Sequence, residues 1–124
     1  MQTDRRESKP GPRDQGRQAE AIAADYLTRQ GATILARNVK VGRGEVDLVA
    51  SIGGERTVVE VRSTTASSGN SHPVPPTHPL DAFDHAKAVQ VRRLAGALGC
   101  PRVDLIAIRF HPGGVDLHWV KRAA

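Results

Sequence analysis

The chain contains very little of several residue types, and each shortage excludes a class of protein. It has one cysteine, Cys100, so an internal disulfide and a zinc site built from several thiolates are excluded. Aromatic residues are 3% of the chain, too few for a platform of exposed rings that stack on bases. No apolar run approaches the roughly 20 residues of a membrane span, and the N-terminus lacks the apolar stretch of a secretory signal. We therefore expect a cytoplasmic protein without membrane contact.

Acidic residues are also in deficit, with 13 Asp and Glu against 18 Lys and Arg, which gives a formal charge of +5. An excess of positive charge favours a polyanionic partner. Because aromatic residues are scarce, we expect contacts to backbone phosphates, and nucleic acid, in particular DNA, is the expected partner. A protein-binding module without a nucleic-acid role would need an exposed apolar patch, which the sequence pattern does not reveal.

The length of 124 residues predicts one domain with a single core. Residues 1–14 are polar and basic with nothing to bury, which predicts a flexible tail before a domain over residues 15–122. Residues 63–80 are rich in Ser, Thr, Gly and Pro and keep no period, which predicts a long mobile loop. Between these segments, apolar periodicity predicts a mixed α/β fold. The predicted order is a helix from Gly16, a strand at 33–41, a two-strand hairpin, a helix at 81–98, and strands at 103–110 and 115–120.

The hairpin carries acidic residues among its apolar ones. Gly53 and Gly54 separate EVDLVA from TVVEVR, and Gly-Gly is a typical two-residue hairpin turn. Counting outward from this turn places Asp47 opposite Glu60 and Glu45 opposite Arg62, all on one face. Opposed like charges are unfavourable in a sheet, and a divalent cation such as Mg²⁺, Mn²⁺ or Ca²⁺ would relieve them. The alternative is a solvated surface on which Glu45 pairs with Arg62.

The two predicted helices carry further candidates. Glu20 lies at the margin of the apolar stripe of the first helix, so it points either to solvent or along the sheet. Lys87 lies within the apolar stripe of the second helix, where it is either a lysine extending its stem to water or a cation delivered to the acidic face. Arg92 and Arg93 project elsewhere on that helix and suit phosphate contacts or plain solvation.

Together these segments resemble a known family. GRQAEAIAADYLTRQGATILARN, GEVDLVA, VVEVR, the lysine of DAFDHAKAVQVRRLA, and RVDLIAI occur in the order and spacing of the bacterial YraN family, which is similar to Holliday-junction resolvases of the PD-(D/E)xK nuclease superfamily. The match extends over about residues 14–120. The resemblance implies a restriction-endonuclease-like α/β core, a mixed sheet with order helix-strand-strand-strand-helix-strand-strand and flanking helices.

The resemblance also implies roles for particular residues. Glu20, Asp47 and Glu60 correspond to the acids that hold Mg²⁺ or Mn²⁺, and a cation of this kind polarises a phosphodiester and activates water. Position 62 departs from the superfamily pattern because arginine replaces the usual lysine, and arginine stays protonated. Lys87 is a hypothetical source of the missing ammonium. The implied catalytic set is Glu20, Asp47, Glu60, Arg62 and Lys87, and the expected nucleic-acid contacts are Arg43, Arg62, Lys87, Arg92 and Arg93.

Two functions are compatible with these residues. One is a metal-dependent nuclease that acts on DNA, including branched DNA, and that forms a homodimer as resolvase-like relatives do. The other is a nucleic-acid-binding module of the same fold that lacks catalysis because of Arg62. The fold by itself does not decide between them.

Overall fold

A computed structural model describes residues 12–65 and 84–124, which form two helices and five strands. Residues 1–11 and 66–83, which include most of the predicted tail and loop, lie outside the described residues. The elements in chain order are α1 (Pro12–Arg29), β1 (Thr33–Val41), β2 (Gly44–Ile52), β3 (Glu55–Thr65), α2 (His85–Ala97), β4 (Arg102–His111) and β5 (Gly114–Val120).

The five described strands form one sheet in the order β1-β2-β3-β4-β5. Neighbouring strands are antiparallel except β3 and β4, which run parallel. A parallel pair needs a crossover connection, and α2 lies in that connection. The predicted mixed α/β fold with this order of elements is confirmed.

The two helices cover opposite faces of the sheet. On the α1 face, Ala23 and Leu27 are fully buried against Leu48 and Val59. On the α2 face, Val91 packs with the residues that β2, β3 and β4 direct to that side. Because both faces are covered, the central strands β3 and β4 each contain a run of five consecutive buried residues, as expected for strands that contact a core on each side.

The ends of the helices differ from the predicted ones. α1 begins at Pro12, four residues before the predicted start, since proline is well suited to a first helical turn. β3 continues to Thr65 and therefore includes the first residues of the predicted loop. α2 begins at His85 instead of residue 81, because the carboxylate of Asp84 accepts a hydrogen bond from the Lys87 backbone N–H and caps the helix.

The Gly53–Gly54 turn is confirmed. Ile52 pairs with Glu55, and both glycines have positive φ values of 60° and 82°, as a two-residue hairpin turn of this type requires. The pairing then continues to Leu48 and Val59 and ends there. Among the described residues, the β2–β3 pairing therefore does not include the predicted pairs of Asp47 with Glu60 and of Glu45 with Arg62. We refer to the separation of β2 and β3 beyond Leu48 and Val59 as the fork.

An irregularity in β1 and β2 lies beside the fork. Asn38 has a positive φ of 51°, and the β1–β2 pairing omits the step from Asn38 to Asp47. Val46 and Val49 are three residues apart but pack in the same α2-side core, so the regular alternation of faces is broken between them. Asparagine is one of the few residue types that adopt this backbone conformation readily.

A buried charge network ties the last two strands together. Asp104 is fully buried and accepts four hydrogen bonds, at 2.9 Å each from Nε and Nη2 of Arg102, at 2.8 Å from Nε1 of Trp119, and at 3.0 Å from the backbone N–H of Arg122. Glu55 contacts the guanidinium groups of both arginines. The hydrogen bonds to Asp104 raise the pKa of Arg102 above its ordinary value. This network joins the β3 hairpin to the C-terminal end of the chain.

Candidate active site at the fork

Asp47 lies at the point where β2 and β3 separate. Its Oδ2 accepts a hydrogen bond of 2.8 Å from the backbone N–H of Val61. Beyond Leu48 and Val59, which are the last backbone pair, the Asp47 carboxylate therefore accepts a β3 hydrogen bond that a β2 carbonyl would accept in a regular ladder. Its carboxylate is held between the strands instead of standing on one face.

Glu60 faces α2, opposite to its neighbours in sequence. Val59 and Val61 pack in the α1-side core, so the residue between them projects to the other face. There Oε2 of Glu60 lies 3.1 Å from Nη2 of Arg62 and 3.4 Å from Nζ of Lys87. The expectation that the hairpin acids share one face is therefore wrong for Glu60 and Asp47, because the fork directs them differently.

Burial controls the protonation of Glu60. The residue is 3% exposed, and its Oε1 is buried with no hydrogen-bond partner among residues 12–65 and 84–124. Burial, followed by repulsion from Asp47, raises the pKa of Glu60 from 4.5 to about 7, although Arg62 and Lys87 oppose the shift. An acid that titrates near neutral pH beside another acid and two cations is typical of functional sites.

α1 brings Glu20 to the same place. Partial burial, followed by repulsion from Asp47, raises the pKa of Glu20 above its ordinary value. With its side-chain amide oriented to donate, Asn38 forms hydrogen bonds of 3.0 Å to Oε1 of Glu20 and 3.2 Å to Oε2 of Glu45. The Asn38 amide thus lies between two carboxylates, and its hydrogen bond opposes the rise in the pKa of Glu20.

The cations of the site come from two elements. Arg62 lies two residues after Glu60 on β3 and its side chain is 32% exposed. Lys87 lies in the first turn of α2 and its side chain is 30% exposed, so each head group contacts both Glu60 and solvent. Nε of Arg62 is buried and has no hydrogen-bond partner within the part of the chain that the structure describes. The fork therefore brings Glu20, Asp47, Glu60, Arg62 and Lys87 into one neighbourhood, while their predicted roles stay predictions.

The donor types at the fork suit a hard divalent cation, because Mg²⁺ and Mn²⁺ take oxygen ligands. The buried Oε1 of Glu60 is one oxygen without a partner. Among the residues that the structure describes, no three His, Cys, Asp or Glu side chains are grouped closely enough to hold a metal ion as they stand. Ion binding would require Glu60 to exchange part of its contact with Arg62 and Lys87 for the cation.

Three of the arginines predicted to contact nucleic acid do not lie with Arg62 beside Glu60. Arg43 lies at the tip of the β1–β2 hairpin and Arg93 on α2, and both line one cleft. Arg92 is exposed on α2 outside the lining of that cleft. None of these three residues forms an ion pair with Glu60, which Arg62 and Lys87 contact.

Sequence reasoning missed two residues that position their neighbours. Asn38 was not a candidate, and the signal that points to it is an asparagine inside an otherwise regular strand pattern, which is compatible with positive φ. Asp104 was also missed, although an acid within the apolar run VDLIAI indicates a buried, paired carboxylate. Asn38 and Asp104 each hold neighbouring side chains in position through hydrogen bonds.

These features define a mixed α/β protein with an acidic fork in its sheet, flanked by two cations. The sequence profile described as "Uncharacterised protein family UPF0102" matches residues 19–108. The chain belongs to this family, which is also known as the YraN family, so the predicted family is confirmed.

Relatives in the same family align over most of the chain. A UPF0102 protein of Clavibacter michiganensis subsp. michiganensis (strain NCPPB 382) is 36% identical over 119 residues, which covers 90% of this chain and 95% of the relative. A UPF0102 protein of Halorhodospira halophila (strain DSM 244 / SL1) is 36% identical over 117 residues, which covers 90% and 88% of the two chains. The crystal structure of SSO0001 has a TM-score of 0.45 and 12% identity, and covers 90% of this chain and 53% of that one, a likeness too weak to inform fold or function. In residues 12–65 and 84–124, neither helix has the length and apolar character needed to span a membrane.

Proposed function

We propose that this protein is a metal-dependent nuclease of the PD-(D/E)xK type that acts on DNA in the cytoplasm. The observation that carries the proposal is the fork, where Glu20, Asp47 and Glu60 come from α1, β2 and β3 to one neighbourhood beside two cations. The net charge of +5 supports an anionic substrate. Branched DNA is the first substrate to test, because the family resembles Holliday-junction resolvases.

The residues of the fork divide the work of phosphodiester hydrolysis. Asp47, Glu60 and Glu20 would hold Mg²⁺ or Mn²⁺, which supplies charge stabilisation and a water molecule of lowered pKa. Val61 holds the Asp47 carboxylate through its backbone N–H, so this acid is oriented before a cation binds. Arg62 and Lys87 lie where they can neutralise the phosphate and position the attacking water.

Asp47→Asn is expected to lower the rate of DNA cleavage by at least about a hundredfold. The amide keeps an oxygen for the Val61 N–H but removes the charge that attracts the cation, and several kcal/mol of charge stabilisation correspond to at least two factors of ten. The measurement uses linear duplex, single-stranded and four-way-junction DNA with Mg²⁺ or Mn²⁺.

The matched control for this experiment is Asp116→Asn, which removes one carboxylate from the exposed surface of β5. This control is expected to cleave at the wild-type rate, and both variants are expected to unfold at the wild-type temperature within a few degrees. Equal cleavage by wild type and Asp47→Asn would contradict the assignment of the fork as the active site.

A non-catalytic module is the second candidate, and one observation favours it. Oε2 of Glu60 is occupied by Arg62 and Lys87 instead of being open to a cation, and Arg62 replaces the usual lysine. This function predicts salt-sensitive DNA binding that Asp47→Asn leaves unchanged, with no cleavage by wild type under any metal. A homodimer belongs to the nuclease proposal and is measured by light scattering on the full chain.

The roles of Lys87 and Arg62 can be distinguished by one substitution at each position, made singly and together. Lys87→Met keeps the apolar stem and is expected to reduce cleavage by about a hundredfold or more, the effect of losing a positioned proton-transfer or charge-stabilising group. Adding Arg62→Lys to this variant is expected to restore part of the rate, because an ammonium then returns to the same carboxylate from β3.

The control for the exchange is Arg62→Lys alone, which is expected to cleave at least as fast as wild type. If Lys87→Met cleaves at the wild-type rate, Lys87 does not supply the missing ammonium. If Lys87→Met is slow and Arg62→Lys does not rescue it, the two positions are not equivalent and the second helix provides a separate function.

A further inference from the structure

A cleft separate from the fork lies between the β1–β2 hairpin and α2. Its volume is about 370 Å³. The hairpin contributes its two-residue tip, Gly42 and Arg43, and α2 contributes Arg93. The floor is mainly apolar, and a Cβ atom on Gly44 would come within 2.9 Å of Leu94 Cδ1, so glycine allows the strand to approach the helix closely. The lining residues are Val41, Gly42, Arg43, Gly44, Gln90, Arg93, Leu94 and Ala97.

The chemistry of the lining suits an anion that carries an uncharged organic part. Two arginines from different parts of the fold line the cleft, and no acidic residue in the described part of the chain does so. The acid next to it in sequence is Glu45, whose Oε2 is within hydrogen-bonding distance of the Asn38 amide at the fork. Arginine heads bind phosphate, and an apolar floor suits the sugar and base of a nucleotide.

The cleft is aligned with the fork along two elements. On β2, Gly44 precedes Asp47 by three residues, which corresponds to about 10 Å of strand. On α2, Lys87 precedes Gln90 and Leu94 by three and seven residues, which places them on one helix face, and the longer step spans roughly 10 Å.

We propose that the cleft between Arg43 and Arg93 is a subsite for the backbone of a nucleic-acid strand, holding a second phosphate roughly 10 Å from the phosphate at the fork. The subsite rests on the proposed function for its substrate class, because the fork defines the reacting position. The subsite would increase affinity, because the strand is bound at a second point. It would also select the phosphate that meets Asp47 and Glu60, because the distance between the two points is fixed.

The experiment measures binding of a fluorescein-labelled 20-mer duplex by anisotropy in EDTA, so that cleavage plays no part. Arg43→Gln with Arg93→Gln is expected to weaken binding about tenfold to a hundredfold at low salt, and to reduce the slope of log K against log salt by about 1.8, the value for two phosphate contacts. The matched control is Arg29→Gln with Arg56→Gln. It removes the same charge at the opposite end of the sheet, near the pairing of Thr33 with Ser51, and is expected to change the slope by less than half as much.

The outcomes separate the subsite from the nuclease. Selective loss of binding in the cleft variant supports the subsite even if wild type cleaves nothing. Cleavage by wild type, together with equal binding by the cleft and control variants, overturns the subsite and leaves the nuclease intact. Inorganic phosphate and deoxyadenosine monophosphate are added as competitors. Displacement of the duplex from wild type at micromolar concentrations of either would overturn the strand assignment in favour of a site for free phosphate compounds.

Discussion

Asp104→Ala is expected to lower the free energy of unfolding by about 3–5 kcal/mol, the cost of removing one partner from a buried ion pair. The substitution leaves the Arg102 guanidinium, which is 9% exposed, without its main counter-charge. It also leaves the Trp119 indole N–H and the Arg122 backbone N–H without their acceptor. Since a domain of this size has only about 5–15 kcal/mol of stability, a large part of it is lost. Urea unfolding followed by circular dichroism measures the change.

Two further variants define this effect. Asp104→Asn keeps the shape and one acceptor oxygen, and is expected to fall between wild type and Asp104→Ala. Asp116→Ala removes an aspartate whose side chain is 66% exposed, and is expected to remain within about 0.5 kcal/mol of wild type. If Asp104→Ala loses less than about 1 kcal/mol of stability, the network around Asp104 contributes little, because loss of one partner from a buried ion pair ordinarily costs several times more.

Glu60→Gln is expected to stabilise the metal-free protein at pH 8, by an amount on the order of 1–3 kcal/mol. The charged Glu60 is buried beside Asp47, and burial is the larger cause of its raised pKa. A shift from 4.5 to about 7 corresponds to an upper bound of roughly 3 kcal/mol, since each unit is worth about 1.4 kcal/mol. The amide removes this unfavourable charge and keeps the shape of the side chain.

The pH dependence follows from the direction of the shift. Between pH 4.5 and about 7, the folded protein binds more protons at Glu60 than the unfolded chain, so the wild-type contribution of this residue falls as pH rises. Wild type and Glu60→Gln are therefore expected to be similar below pH 4.5 and to diverge up to about pH 7. Urea unfolding in EDTA at several pH values measures the divergence.

Asp25→Asn serves as the control for Glu60→Gln, because Asp25 forms an exposed ion pair with Arg29 on α1. Its effect is expected to stay within about 0.5 kcal/mol at every pH. A variant Glu60→Gln that is less stable than wild type at pH 8 would show that the contacts with Arg62 and Lys87 outweigh burial. Higher stability of Glu60→Gln, the expected result, would mean that the fork retains Glu60 although this acid lowers the stability of the protein. Functional sites commonly show this trade-off.

The order of elements followed from local sequence pattern because each element is specified by neighbouring residues. The Gly53–Gly54 turn and the alternation around it were sufficient to predict the hairpin and its register as far as Leu48 and Val59. The starts of both helices were less accurate, because they depend on single residues: Pro12 lies in the first turn of α1, and Asp84 caps α2. Local propensity therefore predicted the elements better than their ends.

The composition, hairpin pattern and spacing of motifs were enough to determine the family, the mixed α/β fold and the acids to examine. Tertiary structure alone decided how those acids meet. Asn38 has a positive φ beside the fork, Asp47 accepts a hydrogen bond from the Val61 N–H, and Glu60 faces α2, where Lys87 contacts it. Period-two alternation describes an unbroken strand pair, whereas separation of the strands and contacts with a distant helix depend on residues far apart in sequence.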